Sequence, residues 1–125
     1  SAQELVWTTK PPRGYDFYIG QGDDLEDFNV VMQGADGTPT DLTGASIGFR
    51  LRHALSTTLA IDAAGSVGVD PTAGEATYEW GAGETDTLSG IYYAQFTATL
   101  SSGDVVHFPN ARWLRVWAQP SLGGV

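Results

Sequence analysis

The residues of this chain that could carry out chemistry are its carboxylates, and their spacing fits none of the common sites. The acidic run at positions 23 to 27 offers the hard oxygen ligands that Ca²⁺ prefers. It lacks the alternating Asp spacing of a calcium-binding loop, so we interpret it as a solvated loop, with calcium binding as the alternative. Glu75 and Glu79 share one face of a predicted strand about 13 Å apart, which is too far for two carboxyl groups that act on one bond.

The other reactive residue types are equally isolated. His53 and His107 have no partner at a metal-ligand spacing, so structural or surface roles are the better interpretation. The sequence contains no cysteine, and it contains no nucleophile elbow, phosphate-binding loop or zinc-protease motif. We therefore expect a protein that is not an enzyme and has no catalytic residue, metal or cofactor.

Composition limits the possible partners as well. The chain of 125 residues suffices for one domain with a sizeable core. Fifteen acidic against six basic residues give a net charge of −9, which repels the phosphates of nucleic acids. No apolar run approaches the roughly 18 residues of a membrane-spanning helix, and no leader pattern opens the chain. We expect a soluble protein that binds neither nucleic acid nor a membrane.

The element that must position the remaining residues is the stretch of residues 86 to 100, in which a turn at residues 86 to 90 leads into a long strand. From Tyr92 onward, apolar or small residues alternate with Tyr93, Gln95 and two threonines, which is typical of a strand with one face in a core. We predict that this strand is the central one of its sheet. The Gly90-x-Tyr92 pair at its start is similar to the tyrosine corner of immunoglobulin-type sandwiches.

Shorter segments before and after it predict further strands. They are marked by Phe17 to Ile19; Phe28, Val30 and Met32; Ile47, Phe49 and Leu51; Leu59 and Ile61; Val67 and Val69; Ala76, Tyr78 and Trp80; Val106 and Phe108; and Leu114, Val116 and Ala118. A bend at residues 62 to 65 would separate the Leu59 strand from the Val67 strand. Seven to nine short strands predict an all-β fold, namely an immunoglobulin-like antiparallel β-sandwich, with a small closed barrel as the alternative.

We place the sandwich at residues 16 to 118, between an extended N-terminal arm (residues 1 to 15) and a C-terminal tail (residues 119 to 125). Pro11 and Pro12 impose an extended backbone on the arm. Trp7 lies in a small apolar cluster just before them. We expect another chain to bury Trp7, and folding of the arm onto its own domain is the alternative.

The last predicted strand carries two tryptophans on the same face as Arg115. Burying that face would bury the charge of Arg115, whereas burying the opposite face of Leu114, Val116 and Ala118 has no such cost. We therefore predict that the tryptophans point outward, as a protein-binding face, unless the arm or the tail of the same chain covers them. With the outward arginines of the third predicted strand, the expected interface residues are Trp7, Arg50, Arg52, Trp113, Arg115 and Trp117.

Three segments together resemble a known phage domain. They are Asp-Leu-Thr-Gly-Ala-x-Ile-x-Phe-Arg-Leu-Arg at 41 to 52, Gly-x-Tyr-x-Ala-x-Phe at 90 to 96, and Phe-Pro at 108 to 109 after a Gly-Asp hairpin. The chain resembles, over residues 16 to 118, the immunoglobulin-like domain at the N-terminus of upper baseplate proteins of lactococcal phages. Small free-standing proteins of tailed-phage virions contain the same domain.

The resemblance implies a structural role without chemistry, in which one virion component docks on another. This sequence differs from the upper baseplate proteins because it lacks a receptor-binding C-terminal region and adds the arm of residues 1 to 15. We therefore expect an adaptor of the tail or baseplate. Capsid decoration and carbohydrate binding are the alternatives. The partners would be other virion proteins, with the chain present in several copies of a symmetric assembly or as a homo-oligomer. Its location would be the virion, assembled in the host cytoplasm.

Overall fold

A computed structural model describes residues 14 to 25, 27 to 34, 36 to 109 and 112 to 122. Within these ranges the chain forms nine strands and one short 3₁₀ turn, Pro71–Ala73. The strands are β1 (Phe17–Gly20), β2 (Phe28–Val31), β3 (Ser46–His53), β4 (Leu59–Ala64), β5 (Ser66–Val67), β6 (Glu75–Tyr78), β7 (Gly90–Thr99), β8 (Val105–Phe108) and β9 (Leu114–Gln119). No described segment is a helix with the length and apolarity needed to cross a bilayer.

The strands form two sheets, which we call the large and the small sheet. The large sheet has the order β1-β9-β7-β3-β4, and β8 pairs with the far end of β7. The small sheet has the order β2-β6-β5. Strand β7 pairs with β3 along eight residues and carries both β9 and β8 on its other side. The prediction that the strand within residues 86 to 100 is central to its sheet is confirmed.

One core fills the space between the sheets. The alternation of β7 places Tyr92, Ala94, Phe96 and Ala98 in it, and each of these residues is at most 5% exposed. Aromatic rings of both sheets meet there: Phe96 lies 5.5 Å from Phe28 and 5.0 Å from Phe49, centroid to centroid. One cluster of buried residues contains side chains of both sheets, among them Phe28, Phe49, Tyr78, Tyr92, Phe96 and Leu114. The prediction of an all-β sandwich is therefore confirmed.

The pairing of the first and last strands differs from the predicted antiparallel pattern. Strand β1 runs parallel to β9, with Phe17 opposite Val116 and Ile19 opposite Ala118. The carboxylate of Asp16 accepts hydrogen bonds from the Arg112 guanidinium and from the backbone N–H of Arg115. These bonds hold the starts of both strands at the same end of the sheet, so the two strands must run in the same direction.

The predicted bend at residues 62 to 65 is also wrong in its position. Strand β4 continues through Asp62 to Ala64, because these residues pair with β3. The chain crosses to the small sheet at Gly65, where a Cβ atom would lie 2.7 Å from the carbonyl oxygen of Thr77. Only glycine permits this close approach. Beyond the crossing, Val69 lies outside β5 and is fully exposed.

Side-chain hydrogen bonds hold the loops that lead into β7 and β3. The hydroxyl of Tyr92 accepts a hydrogen bond from the backbone N–H of Ser89 at 3.1 Å, so this tyrosine ties down the loop that precedes β7. Asp41 accepts hydrogen bonds from both the backbone N–H and the hydroxyl of Thr43, which closes a turn before β3. That turn inserts Leu42 into the core with no exposed surface.

A hydrogen bond between the buried Tyr78 and Glu84 makes the stability of the fold depend on pH. The hydroxyl of Tyr78 donates to a carboxylate oxygen of Glu84 at 2.5 Å, and the backbone N–H of Gly81 donates to the same oxygen. Burial of the phenol and the neighbouring carboxylate raise the pKa of Tyr78 far above its usual value. The unfolded chain therefore loses this proton first as the pH rises, and the folded state loses stability from about pH 10 upward.

We expect the free energy of unfolding of the wild type to fall steadily as the pH is raised above about 10. Tyr78→Phe should lose about 1 kcal/mol at neutral pH, because one hydrogen bond is absent. Above about pH 10 the free energy of unfolding of the variant should fall less steeply with pH than that of the wild type. Urea unfolding at a series of pH values measures both effects. Parallel declines for the two proteins would contradict the assignment to Tyr78.

Candidate functional site

The outer face of the large sheet contains the residues that could bind a partner. On β9, Leu114, Val116 and Ala118 point into the core and are at most 7% exposed. Alternation places the Trp113, Arg115 and Trp117 side chains on the opposite face, where Trp113 is 47% exposed and Trp117 is half-buried. The predicted orientation of this strand is confirmed.

A first aromatic cluster forms on the neighbouring strands β9, β7 and β3 around the ring of Trp113. Tyr93 of β7 lies opposite Arg115 on one side and opposite Arg52 of β3 on the other. The Trp113 ring packs on the Tyr93 ring at 5.3 Å between centroids. The guanidinium carbon of Arg52 lies 5.1 Å from the centroid of the Trp113 ring, within the range of a cation–π contact. Trp113 is thus held between a tyrosine and a cation.

A second cluster surrounds Trp117, toward the edge of the sheet. The Tyr15 ring lies 5.7 Å from Trp117 and 6.1 Å from Tyr18. The guanidinium carbon of Arg115 lies 4.7 Å from the Tyr15 centroid, and its Nη1 atom donates to the carbonyl oxygen of Gly14. The last two residues of the predicted arm therefore pack on the sandwich. We call the two clusters together the aromatic–arginine face, which comprises Tyr15, Tyr18, Arg52, Tyr93, Trp113, Arg115 and Trp117.

Positive charge is concentrated on this side of the molecule. Arg50 pairs with Asp62 at 3.5 Å. The Arg112 guanidinium pairs with Asp16 at 2.8 Å, and this hydrogen-bonded contact lowers the pKa of that carboxyl group. Among the described residues, neither Arg52 nor Arg115 has an ion-pair partner. Both arginine side chains therefore lie beside partly exposed aromatic rings, with no carboxylate of the described residues in ion-pair contact.

A shallow groove of about 150 Å³ opens between the arginines of β3 and the ring of Trp113. Leu59, at the start of β4, forms its far wall and is 39% exposed. Gln95 of β7 also lines the groove and supplies a side-chain amide. The groove therefore offers an apolar wall, a hydrogen-bonding group and cations within one small area.

The angles between the aromatic rings help to distinguish a carbohydrate-binding face from a protein-binding face. Sugar rings stack on flat, accessible aromatic faces. Here the Trp113 and Tyr93 rings are tilted by 46° and the Trp117 and Tyr15 rings by 51°, so neither pair forms a flat platform. Arg52 also occupies one face of Trp113. Tilted rings flanked by arginine resemble the centres of protein–protein interfaces.

The residue types that could carry out chemistry have structural contacts instead. The Nδ1 atom of His53 accepts a hydrogen bond from the backbone N–H of Leu55, and its ring packs edge-on against Tyr92. Glu75 accepts a hydrogen bond from the backbone N–H of Asp70. Within the described part of the chain, no three His, Cys, Asp or Glu side chains are grouped as they would be to hold a metal ion.

The structure brings five of the six predicted interface residues to one sheet face. Arg50, Arg52, Trp113, Arg115 and Trp117 all lie there. The sixth, Trp7, lies outside the described residues. Sequence reasoning did not select three tyrosines of this face. The alternation of β7 already placed Tyr93 outward, but Tyr15 and Tyr18 join the face only because β1 pairs with β9.

Comparison with solved structures shows that the fold resembles that of a phage protein domain. The fold is similar to the "N-terminal domain of phage TP901-1 ORF48", with a TM-score of 0.55 and 18% sequence identity. The similarity covers 90% of this chain and 92% of that chain. No protein-family model matches the sequence, and no curated protein matches it. At this identity the likeness shows a shared fold, extending over nearly the whole of both chains.

Proposed function

We propose that this chain is a non-enzymatic structural protein of a tailed-phage virion, an adaptor that docks one tail or baseplate component on another. The observation that carries the proposal is the aromatic–arginine face. It combines exposed tryptophan, tyrosine and arginine, the residue types that dominate binding energy between proteins. The similar fold of a phage protein domain supports a phage origin for this role.

The charge distribution indicates the kind of partner surface that would fit. The whole chain has a net charge of −9, so most of its surface repels acidic proteins. On the aromatic–arginine face, Arg52 and Arg115 lack carboxylate partners within the described residues and sit over aromatic rings. An acidic, partly apolar patch on another virion protein would match this face. Assembly would occur in the host cytoplasm, with the chain in several copies per particle.

Particle composition tests the proposal directly. Intact particles should be purified by density gradient from infected cells, washed at high salt, and probed with an antibody against this chain. We expect the chain to remain with the particle in a fixed ratio to the tail proteins. Isolated tails and isolated capsids should then be probed separately, and we expect the chain in the tails. Recovery only in capsids would favour decoration instead, and recovery only in the soluble lysate would contradict a virion role.

A further inference from the structure

The small sheet has a second, much wider groove on the opposite side of the molecule. Its volume is about 700 Å³, and it is formed by the outer faces of β2, β5 and β6 and the loop after β5. Val31 and Val69 give it exposed apolar surface. Three carboxylates, those of Asp27, Glu75 and Glu79, line it as well. We call this surface the acidic groove.

The two outer faces of the sandwich have opposite charge. Among the residues that the structure describes, no lysine or arginine lines the acidic groove. All the arginines within the described residues, at positions 50, 52, 112 and 115, lie on or beside the outer face of the large sheet. Both faces also contain exposed apolar side chains, Trp113 and Leu59 on one and the two valines on the other. Each face therefore has the charge and the apolar surface that complement the other.

We propose that the aromatic–arginine face of one copy of this chain docks in the acidic groove of a second copy. The contact is head-to-tail, because two aromatic–arginine faces brought together would oppose Arg52 and Arg115 to their own counterparts. Likewise, two acidic grooves would oppose six carboxylates. A head-to-tail contact leaves one face free on each end, so it continues into a ring or a filament.

This inference rests on the proposed function in assigning the aromatic–arginine face to protein binding, and it goes further by naming the partner. A head-to-tail contact that closes gives a ring of identical copies, and a ring fits the proposed adaptor of a symmetric tail. The salt dependence of the contact follows from its charge pairing, since exposed charges are screened within about 3 Å at 1 M salt and about 10 Å at 0.1 M salt.

Complementation between two charge-reversed variants of the full-length chain tests the inference. R52E/R115E reverses the basic face, and D27K/E79K reverses the acidic groove without touching Glu75, which caps a turn. Sedimentation velocity at about 0.05 M salt should show self-association of the wild type that weakens strongly at about 0.5 M salt. The self-association constant of each variant alone should be lower than that of the wild type by a factor of about 100 or more. An equimolar mixture should recover association, because the intact basic face of D27K/E79K meets the intact acidic groove of R52E/R115E and the two reversed surfaces are also opposite in charge.

Asp36→Lys with Asp104→Lys is the matched control for D27K/E79K, since it makes the same change in net charge at two exposed turns outside both faces. The control should associate as the wild type does, and thermal unfolding should show that every variant is folded. A wild type that is monomeric at all concentrations would overturn the inference, as would a D27K/E79K variant that still associates. Particle incorporation by a monomeric wild type would overturn self-association alone and leave the proposed function standing.

Discussion

Replacing Phe96 by alanine should remove about 3 to 5 kcal/mol from the free energy of unfolding. Phe96 has no exposed surface, and it contacts aromatic rings from both sheets. The change would leave a cavity at the centre of β7, the strand on which β3, β8 and β9 all depend. A loss of this size is a large fraction of the free energy of unfolding of a typical domain, which is roughly 5 to 15 kcal/mol. Urea unfolding followed by tryptophan fluorescence measures it.

Gln95→Ala is the matched control, because Gln95 is the next residue on the same strand and points to the outer face. It should change the free energy of unfolding by about 0.5 kcal/mol or less. Equal losses of stability for the two variants would contradict the assignment of Phe96 to the core and Gln95 to the outer face. A loss below about 1 kcal/mol for Phe96→Ala would place its ring outside the core.

Replacing Trp113 by alanine should leave the domain folded but weaken its assembly by about 2 kcal/mol or more, a factor of about 30. Trp113 is the most exposed ring of the aromatic–arginine face, and Arg52 and Tyr93 hold it in place. Trp117→Ala should weaken assembly as well, with some loss of stability because Tyr15 packs on that ring. Incorporation of each variant into particles, in competition with the wild type, measures the effect.

Val105→Ala provides the control for both tryptophans. Val105 is comparably exposed at 56% and lies on β8, at the far end of the same sheet. This variant should incorporate as the wild type does. If Trp113→Ala incorporates normally and instead unfolds at a much lower temperature, the tryptophan supports the fold and not the interface.

Much of the fold could be predicted because its strands alternate strictly. The period of two in β7 and β9 fixes which side chains point inward, and a one-residue error would have placed Arg115 in the core. The parallel pairing of β1 with β9 could not be predicted in this way. It depends on Asp16, whose partners Arg112 and Arg115 are about a hundred positions away in the sequence.

The candidate face was predicted in part, for the same reason. Arg115 and Trp117 lie on β9 and Trp113 directly precedes it, so alternation alone groups the three. Tyr15 and Tyr18 belong to a different strand and join them only through the β1–β9 pairing. The acidic groove was not predicted at all, since Asp27 and Glu79 come together only when β2 pairs with β6. The immunoglobulin-like arrangement and the role of Trp7 stay predictions.

A density map of the intact particle tests the central claim most directly, namely that the aromatic–arginine face binds another protein in the virion. The sandwich should be located in the map, and the surroundings of Trp113, Arg52 and Arg115 examined in every copy. We expect protein density against this face in each copy, and the acidic groove of a neighbouring copy where the chain forms a ring. Copies in which this face is turned to solvent while another surface makes the contacts would contradict the claim.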